Sequence, residues 1–203
     1  MYKLLKLFLF ILFKLVFRCR VTGQENIPQA GGVIIAANHL SLWDPPFLAT
    51  FVPRPIHYMA KEELFAIPGL GWIIRRLNAF PVRRGAADRT AIRTAIAILE
   101  GGECLGLFPE GTRSKDGSLG PAEQGVALIA AKAGAIIVPA AIIGTNKGFG
   151  DWCLPRFELR FGSPVVLPKG KADKERLDKI SNQVMTEIGC LLTDQAAKKI
   201  TGG

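Results

Sequence analysis

The chain has 203 residues, of which 49% are hydrophobic and 21% are charged, with 22 glycines and 13 prolines. At about 150 residues per domain this length predicts one domain, and the composition excludes a disordered or collagen-like chain. The 26 lysines and arginines against 17 acidic residues leave a formal net charge of +9. This excess favours an anionic partner, which can be a nucleic acid, an acidic membrane surface or a phosphorylated ligand.

The basic residues concentrate in two stretches, residues 1–20 and residues 75–93. The first stretch contains no acidic residue, and the second contains only Asp88. Nucleic-acid-binding modules usually interleave such cations with exposed aromatic residues or align them on a recognition helix. Because the first stretch is embedded in apolar sequence, we expect no nucleic acid among the partners.

The cysteines, at positions 19, 104, 153 and 190, lie far apart and form no CxxC or zinc-binding pattern. The chain has only two histidines, His39 and His57. We therefore expect no metal site, and the unpaired cysteines favour a reduced, cytosolic setting.

The N-terminal segment 4–17 is apolar apart from Lys6 and Lys14, and it is shorter than the roughly 20 residues of a membrane-spanning helix. It lacks the small residues of a signal-peptide cleavage site, so we expect it in the mature protein. As a helix it would place Lys3, Lys6 and Lys14 within roughly 80° of one another. This pattern predicts a membrane-interface helix over residues 1–20, whose lysines reach phosphate headgroups. The alternative is a first core helix docked on the domain.

Short apolar runs along the rest of the chain indicate buried strands. They cover residues 33–37, 56–60, 79–82, 104–108, 136–143, 157–161 and 165–167. Apolar periodicity predicts helices over residues 88–100, 123–132 and 174–192. Strands alternating with helices indicate a single-domain α/β sandwich with a largely parallel central sheet flanked by helices. We expect the domain to cover residues 21–197, with residues 198–203 as a frayed tail.

His39 directly follows the predicted strand 33–37, at the strand end where parallel α/β sheets place their sites. Asp44 is expected to cap the next helix, with Pro45 as its first residue, so that the carboxylate turns back to the imidazole. A carboxylate that keeps one ring nitrogen protonated leaves the other free as a base. Ser41 lacks a Gly-x-Ser-x-Gly elbow, so an externally supplied hydroxyl is the better nucleophile. The alternative is a strand-end histidine with Asp44 serving only as a helix cap.

The segment Phe-Pro-Glu-Gly-Thr-Arg-Ser, residues 108–114, also follows a predicted strand. Gly111 allows close backbone approach to a ligand, and Thr112 and Arg113 supply donors suited to phosphate oxygens. Glu110 adds a negative charge to the same turn. The alternative is a solvated loop with an internal Glu-Arg pair.

A third block, Ala-Phe-Pro-Val-Arg-Arg-Gly at residues 79–85, places Arg83 and Arg84 between a strand end and a helix start. Guanidinium groups in that position are suited to binding a phosphate. Taken alone, the block fits a basic surface patch equally well.

Together these blocks resemble the glycerolipid acyltransferase family, specifically the bacterial-type 1-acylglycerol-3-phosphate acyltransferases. The matching motifs are Asn-His-x4-Asp at residues 38–44, Phe-Pro-Val-x-Arg-Gly at 80–85, Phe-Pro-Glu-Gly-Thr-Arg-Ser at 108–114 and Val-Pro at 138–139. The resemblance covers roughly residues 23–162. The family often has an acid where Arg83 stands, so Arg84 is the expected substrate ligand. Lys61 fits the family's Lys-x-Glu-Leu stretch.

The resemblance implies transfer of an acyl group from acyl-CoA or acyl-carrier protein to the 2-hydroxyl of lysophosphatidic acid. The product is phosphatidic acid, a phospholipid precursor, with no acyl-enzyme and no cofactor. It implies His39 as general base, Asp44 as its orienting carboxylate, and substrate binding by Lys61, Arg84 and residues 110–113, with both arginines on the phosphate. Such an enzyme is expected at the cytoplasmic face of the cell membrane. The alternatives are another acceptor, such as glycerol-3-phosphate or another lysophospholipid, and a noncatalytic lipid-binding protein on the same scaffold.

Overall fold

The computed structural model describes residues 2–83, 88–114, 116–147, 156–170 and 173–193. The helices are α1 (Tyr2–Leu15), α2 (Asp44–Phe51), α3 (Leu70–Arg76), α4 (Arg89–Glu100), α5 (Gly125–Ala133) and α6 (Lys174–Leu192). The strands are β1 (Arg20–Thr22), β2 (Val33–Ala37), β3 (Ile56–Lys61), β4 (Ala79–Val82), β5 (Cys104–Leu107), β6 (Ile136–Ile143) and β7 (Glu158–Phe161). Short 3-10 helices cover Gln24–Asn26 and Glu62–Ala66.

One sheet contains all of these strands, in the order β1-β7-β6-β2-β5-β3-β4. The β6–β7 pair is antiparallel, and every other neighbouring pair is parallel. The predicted α/β sandwich with a largely parallel sheet is confirmed. Strands β2 and β5 are buried along their whole length, as continuous apolar runs covered by helices on both faces must be.

Helices cover the two faces of the sheet in separate layers. One apolar core joins α1 and α2 to one face, and the other joins α4, α5 and α6 to the opposite face. The connections β2 to β3 and β3 to β4 advance across the sheet in the same direction, so right-handed crossovers place α3 on the same face as α2. In agreement, Leu77 at the end of α3 lines one small cavity together with Lys6 and Leu9 of α1 and Ala49 of α2.

Helix α1 docks on the domain through one of its faces, as expected from the alternative interpretation of this segment as a first core helix. Phe13 is fully buried, and its ring lies 4.9 Å from the ring of Phe47 in α2. Lys6 donates a hydrogen bond to the Val52 carbonyl at 2.6 Å, so its amine points at the domain, and the expectation that it reaches outward is wrong. The opposite face of α1 is apolar and exposed. It consists of Leu4, Leu7, Phe8, Ile11 and Leu15.

Several predicted elements differ from those observed. The predicted strand 165–167 is reduced to a single antiparallel bridge between Val165 and Ile137. Strand β1 and helix α3 had no sequence prediction, because β1 is only three residues long and the only buried residue of α3 is Gly71. The tail expected at residues 198–203 lies outside the described residues. Among the residues that are described, no helix has both the length and the apolar character needed to cross a bilayer.

Candidate active site

Asn38 places the residues that follow β2 at the carboxyl edge of the sheet. Its side-chain amide donates to the Ile142 carbonyl at 2.9 Å, and its carbonyl oxygen accepts the Ile142 N–H at 2.7 Å. These bonds continue the β2–β6 ladder for one step beyond the last backbone pair, Ala37 with Ala140. The chain is therefore fixed at the residue immediately before His39.

The His39 imidazole and the Asp44 carboxylate form a hydrogen-bonded pair. His39 Nδ1 lies 2.7 Å from Asp44 Oδ2, and the same oxygen accepts the N–H groups of Leu40 at 2.6 Å and Ser41 at 2.7 Å. Asp44 is 0% exposed and His39 is 8% exposed. Because the carboxylate is surrounded by donors, it acts here only as an acceptor, so the imidazole proton lies on Nδ1. His39 Nε2 then carries the free lone pair that a general base needs.

Asp44 is the first residue of α2 and not its N-cap, so that part of the sequence prediction is wrong. The N-cap is Trp43, and it makes no side-chain capping bond. Pro45 and Pro46 follow Asp44 and have no N–H to donate. The Asp44 carboxylate therefore finds no N–H group at those two positions. It accepts hydrogen bonds from the 39–41 turn instead, so capping of α2 is not its only role.

Thr145 is a fourth donor to Asp44 and was not predicted from the sequence. Its hydroxyl donates to Asp44 Oδ1 at 2.6 Å, across 101 residues of chain, and its side chain is buried. Gly144 makes the turn at the end of β6 with a φ of +88°, and an added Cβ would lie 2.3 Å from the Arg156 carbonyl oxygen. The sequence could have indicated Thr145 only by its position, because a polar residue just after β6 lies at the same edge of the sheet as one just after the parallel strand β2.

The loop after β5 packs on His39 from the other side. The Phe108 ring stacks on the imidazole, with the ring centres 4.0 Å apart and an interplanar angle of 17°. Glu110 Oε1 accepts the His39 N–H at 2.9 Å and its Oε2 accepts the Gly120 N–H at 3.0 Å. The Ser114 N–H donates to the His39 carbonyl at 2.8 Å. Both carboxylate oxygens of Glu110 are thus engaged by backbone groups that hold the loop against His39.

The remaining predicted residues of this loop are Gly111, Thr112 and Arg113. Gly111 has a φ of +67°, in the left-handed region that favours glycine. Thr112 and Arg113 are exposed and precede Ser114, which is bonded to the His39 backbone. Both side chains are therefore accessible to a ligand.

The predicted basic ligands lie further along the same edge. Lys61 is exposed at the end of β3, in register with Val82 at the end of β4. Arg83 pairs with Glu62, with Nε 2.7 Å from Oε2, and this hydrogen bond raises the pKa of the guanidinium above its ordinary value. Arg84, the predicted phosphate ligand, lies outside the described residues.

The family model described as Acyltransferase matches residues 18–143. The chain belongs to the acyltransferase family. This confirms the family inferred from the motifs. The match includes the His39–Asp44 pair and the loop after β5, and it ends at residue 143, two positions before Thr145.

Several relatives of this acyltransferase are named as 1-acyl-sn-glycerol-3-phosphate acyltransferases. The chain is 35% identical over 147 residues to the 1-acyl-sn-glycerol-3-phosphate acyltransferase of Bacillus subtilis, covering 72% of this chain and 73% of the relative. It is 32% identical over 170 residues to the Streptococcus pneumoniae protein of that name, covering 82% and 63%. The Arabidopsis thaliana chloroplast relative LPAT1 is longer, and the aligned region spans 37% of it.

A solved structure has the same fold. The crystal structure of the 1-acyl-sn-glycerophosphate (LPA) acyltransferase PlsC from Thermotoga maritima superposes with a TM-score of 0.75 at 34% sequence identity. The superposition covers 95% of this acyltransferase and 80% of that chain. Most of this acyltransferase therefore has a structural counterpart in that chain.

Proposed function

We propose that this acyltransferase moves a fatty acyl group from a thioester donor to the 2-hydroxyl of 1-acylglycerol-3-phosphate, which gives phosphatidic acid. The observation that carries the proposal is the His39–Asp44 pair, which leaves His39 Nε2 free at the edge of the sheet. The names of the Bacillus subtilis, Streptococcus pneumoniae and Borreliella burgdorferi relatives support the acceptor. The donor is acyl-CoA or acyl-carrier protein, which present the same reacting carbonyl.

In this reaction His39 Nε2 takes the proton of the acceptor hydroxyl while the hydroxyl oxygen attacks the thioester carbonyl carbon. A C–O bond forms and the carbonyl electron pair moves to oxygen, which gives a tetrahedral intermediate. When the C–S bond breaks, the thiolate takes the proton back from the imidazolium, so an ester and a free thiol leave. Asp44 keeps the ring oriented throughout and stabilises its positive charge.

The acceptor phosphate is proposed to bind at the basic end of the same edge. Arg113 is exposed beside the residue that bonds to His39, and Lys61 is exposed at the end of β3. A phosphate has enough oxygens for several such donors, and guanidinium groups bind it bidentately. We propose Arg84 and Arg113 as the phosphate ligands, with Lys61 and the 110–112 turn beside them.

The acceptor is a lipid, so we propose that the protein works at a membrane surface, on the cytoplasmic face where thioester donors are made. The exposed apolar face of α1 supports this, because moving such a face from water into the interface of a bilayer lowers the free energy. Removing residues 1–20 is a poor test, because Phe13 and Phe17 belong to the core. The double variant Leu7→Ser/Phe8→Ser leaves that core intact and should lower the fraction of protein that sediments with vesicles.

A second acceptor has one observation in its favour. The chain is 32% identical over 138 residues to a protein named lyso-ornithine lipid O-acyltransferase from Pseudomonas aeruginosa. An ornithine lipid has no phosphate, so the basic edge would have no phosphate to bind with that acceptor.

One assay separates these candidates. Thiol release is measured from acyl-CoA and from acyl-carrier protein, each with lysophosphatidic acid, lyso-ornithine lipid, glycerol-3-phosphate or no acceptor. Release that depends on lysophosphatidic acid supports the proposal, whereas release with only one of the other acceptors reassigns the substrate. Lipid binding without release from any donor would mean a noncatalytic lipid-binding protein.

A further inference from the structure

The exposed large apolar side chains of the described residues come from only a few segments of the chain. Among the described residues, every exposed large hydrophobic side chain except Val166 belongs to α1, to the pair Leu42–Trp43, or to residues 67–73. Helices α1 and α3 lie on the same face of the sheet, and Leu42–Trp43 immediately precedes Asp44 in the site. Clusters of exposed large apolar side chains can mark an interaction site.

Residues 67–76, which we name the α3 segment, leave most of their apolar side chains exposed. Gly71 is the buried residue of α3, and an added Cβ there would lie 2.3 Å from the Phe65 carbonyl oxygen. The helix is therefore held to the preceding 3-10 helix by backbone contact. Its largest side chain, that of Trp72, is 54% exposed. The exposed set is Ile67, Leu70, Trp72 and Ile73.

The charges of the α3 segment favour an anionic partner. It ends in Arg75 and Arg76 and contains no acidic residue. The Arg76 guanidinium lies over the Trp72 ring at 4.9 Å, and the Arg75 guanidinium over the Phe65 ring at the same distance. Aromatic rings and aliphatic side chains with cations beside them form the arrangement that suits the boundary between acyl chains and headgroups. Anionic lipid headgroups attract each such cation by about 1 kcal/mol.

We propose that the α3 segment is a second lipid-inserting element, which docks on an anionic phospholipid surface beside α1. The proposal rests on the proposed function, because that function requires a bilayer-borne acceptor. The cavity shared by Leu77, Lys6 and Leu9 shows that the end of α3 adjoins α1. A single inserted helix leaves the protein free to rotate about it, whereas two neighbouring contacts fix one orientation. The same face then brings Leu42 and Trp43, beside the catalytic pair, to the lipid.

The test uses the full chain and vesicles of phosphatidylcholine with or without phosphatidylglycerol. Trp72→Ser/Ile73→Ser should lower affinity for the anionic vesicles at least about tenfold, and Arg75→Gln/Arg76→Gln about 30-fold, since about 1 kcal/mol per cation is roughly fivefold. The matched control is Val166→Ser, because Val166 is 71% exposed but lies away from α1 and α3. It should bind within about twofold of wild type, because one exposed side chain outside the patch contributes little.

Insertion is measured directly with a Trp43→Phe/Trp152→Phe variant, in which Trp72 is the remaining tryptophan of the three. Its emission should shift to the blue and be quenched by phosphatidylglycerol carrying brominated acyl chains. Unquenched Trp72 in vesicle-bound protein overturns the proposal, as does equal binding of Trp72→Ser/Ile73→Ser and wild type. A change in oligomeric state without a change in vesicle affinity would assign the surface to a protein partner and overturn it as well. Vesicle binding requires no turnover, so these results stand apart from any failure of the acyl-transfer assay.

Discussion

Replacing Thr145 by valine should impair catalysis, although this residue does not touch the imidazole. The substitution keeps the branched shape of the side chain and removes the hydroxyl that donates to Asp44 Oδ1 at 2.6 Å. Asp44 is 0% exposed, so water cannot readily replace the lost donor. The carboxylate would then be held by His39 and two backbone amides through Oδ2 alone.

The size of the effect follows from the partners of this bond. A hydrogen bond to a charged group contributes about 1.5–3 kcal/mol, and a buried charged acceptor left without its donor costs that amount or more. Because Asp44 must face the imidazolium that forms during the reaction, we expect the loss in kcat, about 10- to 150-fold. The KM for the acceptor should change little, since Thr145 is buried behind Asp44 and away from the exposed phosphate donors.

The assay is thiol release in mixed micelles with saturating lysophosphatidic acid, with urea denaturation as a check on folding. Thr145→Ser is the matched control, because it keeps the hydroxyl and should recover most of kcat. A folded Thr145→Val enzyme with wild-type kcat, or a serine variant as slow as the valine variant, would show that the hydroxyl does not position Asp44.

Two further predictions concern other groups. Arg113→Ala should lower kcat/KM for lysophosphatidic acid about 30-fold or more, as loss of a desolvated charge partner does. Arg83→Ala should lower it at most about fivefold, because the Arg83 guanidinium already pairs with Glu62 at the surface. Equal losses of kcat/KM in the two variants would refute the assignment of Arg113 to the phosphate. Burial raises the pKa of the Cys104 thiol from 9.0 to about 12, so its stabilising effect is complete below pH 9 and is lost as pH rises toward 12. Between pH 9 and 12 the free energy of unfolding of wild type should therefore fall by up to about 1.4 kcal/mol per pH unit relative to that of Cys104→Ala. Urea titrations measure both free energies, and a difference between them that does not change with pH would contradict this prediction.

The middle strands of the sheet could be predicted because they are buried on both faces. The runs 33–37 and 136–143 coincide with β2 and β6, which are almost entirely buried, since a strand without a polar face leaves an unbroken apolar run. Helix α3 gives no such signal. Most of its apolar residues are exposed and its buried residue is a glycine, so core-facing periodicity does not describe it.

The pairing of His39 with Asp44 could be predicted because both residues lie in one short turn. The role of Asp44 as a helix cap was wrong, and Pro46 could have weakened that prediction, because it removes the N–H of one of the two positions that an N-cap side chain normally bonds. Thr145 is a different case. Its contact with Asp44 spans 101 residues and depends on β6 lying next to β2, which the order of elements along the chain does not specify.

The account depends most directly on His39 as the general base. The decisive measurement is kcat for His39→Ala with lysophosphatidic acid and an acyl thioester, on protein whose circular dichroism and urea midpoint match those of wild type. Loss of a general base costs about 10²- to 10⁴-fold, so we expect kcat to fall at least about 100-fold. A folded His39→Ala protein that turns over within a few-fold of wild type would contradict the mechanism.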